Sequence, residues 1–284
     1  MIIVREISAD SICLKVKELL LQAAFHTGDD VKNCIKEYYA AEKSPAGRAA
    51  LEMIMENQEI ASSEEIAICQ DTGMAVIFFD VGQEVLITGG DFRGAVNRGV
   101  REAYSDGYLR KSVVNDPVFD RKNTGDNTPA VIYTDIVPGD KIKILALAKG
   151  FGSENMSTLA MLTPFDGADG IINFVISTIE KAGPNPCPPT IVGVGIGGTA
   201  DMAMVMAKKG TARSIGSLNP DPRYAEMELE ILKRANRLGI GPAGLGGDTT
   251  SLAVHIDYMP THIAGMPVAV NICCHASRHA EAIL

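Results

Sequence analysis

The sequence predicts an α+β fold, in which a helical N-terminal layer packs on a mixed α/β body. Apolar residues recur at helical spacing through the first part of the chain, and short β-branched runs bounded by glycine, proline, asparagine and aspartate follow from residue 74. The chain has 284 residues, 46% of them apolar, which is enough for a sizeable core. We therefore expect one domain over residues 1–284, mainly helical at 1–65 and mixed α/β at 66–284.

The N-terminal layer is predicted from the spacing of its apolar side chains. Within residues 9–60 they recur every three or four positions, so that they fall on one face of a helix. The clearest of these positions are Ile12, Val16, Leu19, Leu20 and Ala23, and the segment 49–55 continues the pattern.

The body is predicted to combine strands with helices. The strands are expected at 74–81, 129–137, 141–148, 190–198, 251–259 and 267–274. The helices are expected at 91–106, 167–183, 199–208 and 222–238. Asp91 is the expected N-cap of the first of these helices, and Gly183 the expected end of the second.

The charge balance excludes some partners. A formal net charge of −9 argues against nucleic acid or a membrane surface, because both attract clustered cationic side chains. The first ten residues contain acidic side chains and no long apolar stretch, so no secretory signal is expected, and the apolar runs elsewhere are too short to span a bilayer. We expect a cytoplasmic location, where the six cysteines would stay reduced.

The cysteines differ in their surroundings. Cys13 and Cys34 lie on predicted helices and are expected to be buried and inert. Cys69 opens the segment CQDTG, which gathers a thiol, an amide, a carboxylate and a hydroxyl within one turn. Cys187 lies in NPCPPT, where prolines on both sides hold the backbone rigid. Cys69 and Cys187 are therefore candidate metal ligands.

A third ligand is expected near the C-terminus. Cys273 and Cys274 end a predicted strand, and alternation sends one side chain to each face of a sheet. Three separated cysteines match neither ferredoxin nor zinc-ribbon spacing, so spacing alone does not select the metal. A 4Fe-4S cluster held by three thiolates would leave one iron open for Lewis-acid catalysis. The alternative from another class is a non-catalytic protein in which these cysteines and a histidine bind structural zinc.

Ordered motifs along the chain point to one family. They are CQDTG at 69–73, LRKS at 109–112, NTGDNTPA at 123–130, KGFGSENMS at 149–157, NPCPPT at 185–190, GIGPAGLGGDTTSLAV at 239–254, PTHIAGMPVAVN at 260–271 and CHA at 274–276. From about residue 10 to the C-terminus, the chain resembles the α-subunit of the class I fumarate hydratases and L-tartrate dehydratases. These enzymes are oxygen-sensitive hydro-lyases that contain an iron-sulfur cluster.

The resemblance implies that Cys69, Cys187 and Cys274 hold a 4Fe-4S cluster. Cys274 is chosen because it directly precedes His275 in the CHA motif, and Cys273 is the alternative. An iron without a protein ligand is open to oxidants, so oxygen sensitivity is expected.

The resemblance also implies the residues that handle the substrate. Gln70, Arg110 and the backbone of Gly152 match substrate-contacting positions, and Arg110 would hold a carboxylate in a bidentate pair. Asp71 and His262 match catalytic positions. Asp71 would orient or receive the proton at carbon, and His262 would tune it.

The implied reaction is the reversible hydration or dehydration of a small dicarboxylate. Fumarate to L-malate is the first choice, and L-tartrate is the alternative. The family carries its catalytic threonine and further arginine and lysine contacts in a β-subunit, so we expect an α2β2 assembly and no activity from this chain alone. Phe151 stands where the family loop usually has a third glycine, so the resemblance does not fix the detailed backbone path of this loop.

A glycine-rich segment offers a competing interpretation. Gly193, Gly195 and Gly198 satisfy the spacing of a dinucleotide-binding loop. The second strand that should end in an acidic residue about twenty positions later is not convincing, because that region reads SIGSLNPD, with Pro220 before Asp221. Close packing of the chain against the cluster pocket is the preferred explanation.

Overall fold

The computed structural model describes residues 4–284. The chain forms two compact units, each assembled from separate stretches of sequence. The first comprises the described residues up to Thr27, Gln58–Phe151 and Arg278–Leu284, and the second comprises Gly28–Asn57 and Gly152–Ser277. The expectation of a single domain stays a prediction.

The helices and strands follow one another in mixed order. In chain order they are β1 Arg5–Ser8, α1 Ala9–Phe25, α2 Asp29–Ala41, α3 Pro45–Glu64, β2 Met74–Gly82, β3 Val85–Thr88, α4 Phe92–Asp106, β4 Val131–Val137, β5 Ile142–Lys149, α5 Phe151–Glu154, β6 Thr158–Leu162, α6 Gly167–Ala182, β7 Thr190–Gly198, α7 Ala200–Gly210, α8 Pro222–Asn236, β8 Ser251–Thr261, β9 Met266–Cys273 and β10 His279–Ile283. Across the described part of the chain, no helix is both long enough and apolar enough to cross a membrane.

The first unit is built on a sheet with the strand order β10-β5-β2-β4. Strand β2 pairs parallel with β4 and antiparallel with β5, and β5 pairs antiparallel with β10. Helices α1 and α4 pack on this sheet through a shared apolar core. Its members include Ile12, Val16, Leu20, Ile77, Phe79, Val96, Val100, Ile142 and Ile144. The predicted helical spacing of the N-terminal segment is thereby explained.

The second unit contains a sheet with the strand order β6-β9-β7-β8. Strand β7 pairs parallel with β8 and antiparallel with β9. Helices α6 and α8 share a core with this sheet. That core includes Ile171, Val175, Ile179, Val192, Val194, Ile231, Val254, Val268 and Val270. Alternate residues of β9 face the other way, where Ala269 packs on α7.

The glycines of β7 allow helix α7 to pack closely against this strand. A Cβ added at Gly193 would lie 1.9 Å from the carbonyl oxygen of Ala207, and one added at Gly195 would lie 2.0 Å from that of Ala203. Any side chain at either position would collide with the helix backbone. The expected close packing therefore exists, but its partner is helix α7 rather than a cluster pocket.

The predicted α+β class is confirmed. Each of the six predicted strands is present with ends within two residues of those expected, and Asp91 caps α4 through a hydrogen bond from the amide of Gly94. The sequence did not reveal β1, β3, β6 and β10, which contain four or five residues each. Segments this short show too few alternations to distinguish a strand from a loop.

Candidate active site

The CQDTG turn connects α3 to β2 and fixes the carboxylate of Asp71. One carboxylate oxygen, Oδ1, accepts a hydrogen bond from the amide of Gly73 at 2.9 Å, and Oδ2 accepts one from the amide of Phe151 at 2.8 Å. Beside them, the thiol of Cys69 lies 3.4 Å from Oε1 of Gln70. Because both carboxylate oxygens accept hydrogen bonds from backbone amides, the carboxylate cannot rotate without breaking a hydrogen bond.

Tyr104 supports this turn from beneath. Its hydroxyl lies 2.9 Å from the carbonyl oxygens of both Thr72 and Gly73, and the side chain is buried. Burial raises the pKa of the Tyr104 hydroxyl above its ordinary value, and Asp71 raises it further while Arg278 opposes the shift. The hydroxyl therefore keeps its proton and remains a donor to the turn.

Two further motifs converge on the turn. Thr72 donates its hydroxyl to the carbonyl oxygen of Arg110 at 2.7 Å, so that the exposed Arg110 side chain begins beside the turn. Asn127, which is fully buried, accepts a hydrogen bond from the amide of Ser112 at 2.7 Å and donates one to the carbonyl oxygen of Gly73 at 3.2 Å. Motifs that are distant in sequence thus meet in the first unit, and they bring together Cys69, Gln70, Asp71 and Arg110.

In the second unit, the structure brings the Cys187 and Cys274 segments together. Cys187 follows α6, is exposed, and has a φ of +53°. Its amide donates to the carbonyl oxygen of Pro184 at 3.1 Å, and its own carbonyl oxygen accepts from the amide of His275 at 3.4 Å. A Cβ added at Gly152 would lie 3.4 Å from the carbonyl oxygen of Asn185, in the same loop. Gly152 therefore lies beside the NPCPPT motif.

The two adjacent cysteines have different environments. Strand β9 ends at Cys273, whose side chain packs against an apolar cluster that includes Val31, Ile35 and Leu51. Cys274 lies past the strand end, partly exposed, with its Sγ 3.7 Å from the carbonyl oxygen of Ala276. Both side chains are partly exposed, so the choice of Cys274 over Cys273 as a ligand stays a prediction.

His262 lies at the far end of the same sheet. It follows β8, whereas Cys187 precedes β7 and Cys274 follows the antiparallel β9, so the length of β9 separates them. That strand has eight residues and spans about 25 Å. His262 is exposed, and its Nδ1 accepts a hydrogen bond from the amide of Ala264 at 3.2 Å. Within its unit, the structure does not bring His262 beside the cysteines.

The remaining two cysteines pack in apolar clusters. Cys13 and Cys34 are buried, as predicted, with 3% and 9% of their surfaces exposed. Burial raises the pKa of the Cys34 thiol to about 12, and the charges of Glu37 and Asp30 contribute to that shift. Cys13 accepts a hydrogen bond from Nε of Arg98 at 3.1 Å.

The donor set fits an iron-sulfur cluster in its chemistry. Cys69, Cys187 and Cys274 are all at least partly exposed, as is the alternative ligand Cys273, whereas Cys13 and Cys34 are buried. No three His, Cys, Asp or Glu side chains among the described residues lie close enough together to hold a metal ion. Cys69 belongs to the first unit, and the other two cysteines belong to the second.

Sequence reasoning missed the side chains that hold the CQDTG turn. Tyr104 follows the apolar spacing of α4 and was indistinguishable from a core residue. Asn127 lies in the NTGDNTPA motif with a φ of +62°, a conformation that asparagine adopts more readily than most residues. Arg278, which contacts Asp71, is distant from it in sequence and carries a charge that ordinarily predicts exposure.

Comparison with known proteins identifies the family. The fumarate hydratase (Fumerase) family matches residues 14–283. A Methanocaldococcus jannaschii protein named "Putative L(+)-tartrate dehydratase subunit alpha" is 42% identical over 271 residues, which cover 93% of this chain and 94% of the relative. The L(+)-tartrate dehydratase subunit alpha of Escherichia coli strain UTI89 is 36% identical over 255 residues, and that of strain K12 is 35% identical over 254, each covering 88% of this chain and 83% of the relative. This chain therefore belongs to the fumarate hydratase family of hydro-lyases.

Proposed function

We propose that this chain is the α-subunit of a cytoplasmic α2β2 hydro-lyase that dehydrates L(+)-tartrate. The observation that carries the proposal is the similarity, over nearly the whole chain, to proteins named L(+)-tartrate dehydratase subunit alpha. These names favour tartrate over fumarate as the substrate. The sequence motifs alone favour fumarate. Fumarate hydration is the second candidate, because the matching family is described as fumarate hydratase and the reaction class is the same.

In this proposal Cys69, Cys187 and Cys274 hold a 4Fe-4S cluster. When bound, such a cluster supplies an iron without a protein ligand as a Lewis acid toward a hydroxyl group. The exposure of the three thiols supports the assignment, as does the backbone of Cys187, since positive φ values at residues other than glycine concentrate at functional sites.

Arg110 is proposed to bind a substrate carboxylate. Its guanidinium is exposed while its backbone is anchored to Thr72, so the side chain can pair with a ligand without disturbing the turn. A planar guanidinium binds a carboxylate through two parallel hydrogen bonds. Gln70 would contribute an amide beside it, and Gly152 a backbone contact. A chain with a net charge of −9 needs such a local cation to attract a dianion.

Asp71 is proposed to handle the proton at carbon. Dehydration of tartrate removes a proton from one carbon and a hydroxide from its neighbour, which leaves the enol form of oxaloacetate. Each carboxylate oxygen of Asp71 accepts one hydrogen bond from a backbone amide and retains a further acceptor position. The carboxylate can therefore be fixed by these hydrogen bonds and still accept a proton. A role for His262 stays a prediction, which a His262→Asn variant with unchanged turnover would refute.

The substrate assignment is tested with the complete enzyme. The chain is coexpressed with its β-subunit, reconstituted anaerobically with iron and sulfide, and assayed with L(+)-tartrate and with fumarate. We expect turnover of tartrate to exceed that of fumarate, and this chain alone to be inactive. Faster hydration of fumarate would replace the proposed substrate, and substantial turnover by this chain alone would contradict the need for a β-subunit.

The ligand assignment is tested by metal analysis of serine variants. Replacing Cys69, Cys187 or Cys274 should abolish binding of iron and acid-labile sulfide, whereas Cys34→Ser serves as the matched control because Cys34 is buried. Cys273→Ser should retain the cluster. Loss of the cluster in Cys273→Ser but not in Cys274→Ser would exchange the two assignments. Stoichiometric zinc without sulfide in the wild-type protein would support the non-catalytic alternative.

A further inference from the structure

We propose that Arg278 is a positioning residue that fixes the CQDTG turn and thereby the carboxylate of Asp71. The inference rests on the proposed function only for the catalytic role of Asp71. The contact itself belongs to the first unit and does not depend on the substrate.

Arg278 reaches the turn from the far end of the chain. Its Nη1 donates a hydrogen bond to the carbonyl oxygen of Asp71, across 207 positions in the sequence. The carbonyl oxygen of Arg278 accepts a bond from the amide of Ala148 at 3.0 Å, which holds the arginine backbone against β5. Hydrogen bonds therefore hold both the backbone and the guanidinium of Arg278, so the guanidinium can fix the position of the turn.

The guanidinium and the Asp71 carboxylate converge on the backbone at Gly150. A Cβ added there would lie 2.8 Å from Nη2 of Arg278 and 3.3 Å from Oδ2 of Asp71. The amide of Phe151, the next residue, donates to that same Oδ2. Arg278 thus holds the backbone of Asp71 while Phe151 holds its carboxylate, and the absence of a side chain at Gly150 leaves room for both.

A packing role alone does not explain this arginine. Only 5% of Arg278 is exposed, and its Nε is buried with no hydrogen-bond partner among the described residues. Burying a guanidinium with an unsatisfied donor is unfavourable, and an apolar side chain of similar volume would fill the space without that cost. A role in positioning the CQDTG turn, through the hydrogen bond to the carbonyl oxygen of Asp71, explains why a charged side chain is buried here.

The proposal is tested with Arg278→Met, which keeps an unbranched side chain but removes its donors, and with Arg278→Lys, which restores a cationic donor group. Arg101→Met is the control, because Arg101 is an exposed arginine of the same unit that pairs with Asp126. Hydrogen exchange of the segment 69–73 and the alkylation rate of Cys69 are measured on the full chain without substrate. The kinetic constants are measured on the reconstituted complex with the β-subunit.

We expect Arg278→Met to accelerate exchange in 69–73 about tenfold or more, as for loss of one charge-assisted hydrogen bond. It should also lower kcat about 100-fold with little change in KM, because a small misplacement of a catalytic group acts on the chemical step. Arg278→Lys should recover part of both effects, and Arg101→Met should show neither. Unchanged exchange and alkylation in Arg278→Met would overturn the proposal.

A second variant covers the case in which Arg278→Met does not fold. Gly150→Ala retains the guanidinium but displaces it, since the new Cβ would meet Nη2 at 2.8 Å. We expect it also to accelerate hydrogen exchange in 69–73, and unaltered exchange would count against the positioning role of Arg278. If the wild-type complex turned over no dicarboxylate, the proposed function would fail, whereas the exchange result would still decide the role of Arg278.

Discussion

The hydroxyl of Thr249 donates a hydrogen bond to Oε2 of Glu42 at 2.8 Å. The amide of Asp248 lies 3.0 Å from both oxygens of the same carboxylate, and the amide of Ser44 lies 3.0 Å from Oε1. Only 3% of Glu42 is exposed. This one carboxylate therefore anchors the GLGGDT segment to the connection between α2 and α3.

We predict that Glu42→Gln lowers the free energy of unfolding at pH 7 by about 2 to 3 kcal/mol, because the amide cannot accept all of these donors. Burial alone would raise the pKa of Glu42, but the amides of Asp248 and Ser44 and the hydroxyl of Thr249 outweigh it and lower the pKa below 4.5. The contribution of Glu42 to the free energy of unfolding is therefore complete above about pH 4.5 and is lost as the pH falls through the folded-state pKa of Glu42.

Urea denaturation at pH 7 and at pH 3 measures this effect. The wild type should lose more stability on acidification than the variant, so that the difference between them narrows. Glu52→Gln is the control, because Glu52 is an exposed glutamate on α3. An equal difference at both pH values would contradict the lowered pKa.

Gly195→Ala is predicted to destabilise the second unit by about 3 kcal/mol, because overpacking forces backbone to move. The new Cβ would lie 2.0 Å from the carbonyl oxygen of Ala203 and 2.9 Å from the amide nitrogen of Ala207, so α7 must shift away from β7. Gly265→Ala is the matched control, since among the described residues only its chain neighbours lie within 4 Å of its added Cβ. Thermal unfolding followed by circular dichroism compares the two, and equal melting temperatures would refute the argument.

The candidate residues of one turn could be proposed from short-range sequence, whereas the side chains that support that turn could not. Cys69 and Asp71 lie among the other polar groups of the CQDTG turn, so local chemistry makes them candidates. Arg278 and Asn127 act on that turn through contacts 207 and 54 positions away in sequence. No periodicity relates such positions, because the fold of the first unit brings them together. The strands were predicted well for the opposite reason, since their apolar patterns are local.

Tyr104→Phe is predicted to lower the stability of the first unit by about 1 to 3 kcal/mol, because it leaves the carbonyl oxygens of Thr72 and Gly73 without this buried donor. It should also accelerate hydrogen exchange in 69–73. Tyr108→Phe is the control, since Tyr108 is 96% exposed. If both variants unfolded at the same urea concentration, the hydroxyl of Tyr104 would have no stabilising role.

Cys187 and Cys34 should differ in their reactivity in the cluster-free protein. Iodoacetamide at pH 8 should modify Cys187, which is exposed, and leave Cys34 unmodified. Alkylation requires the thiolate, and burial with the nearby charges of Glu37 and Asp30 raises the pKa of Cys34 to about 12. At pH 8 roughly one Cys34 thiol in ten thousand is then ionised. Peptide mass spectrometry measures both sites.

Two further measurements test the burial of Cys34 and the proposed ligand role of Cys187. In urea, Cys34 should become reactive, because unfolding returns its pKa toward the ordinary value and exposes the thiol. Reconstitution with iron and sulfide should protect Cys187 and leave Cys34 unchanged, since only the former is a proposed ligand. Rapid native alkylation of Cys34 would contradict its burial, and continued alkylation of Cys187 in the iron-loaded protein would remove it from the ligand set.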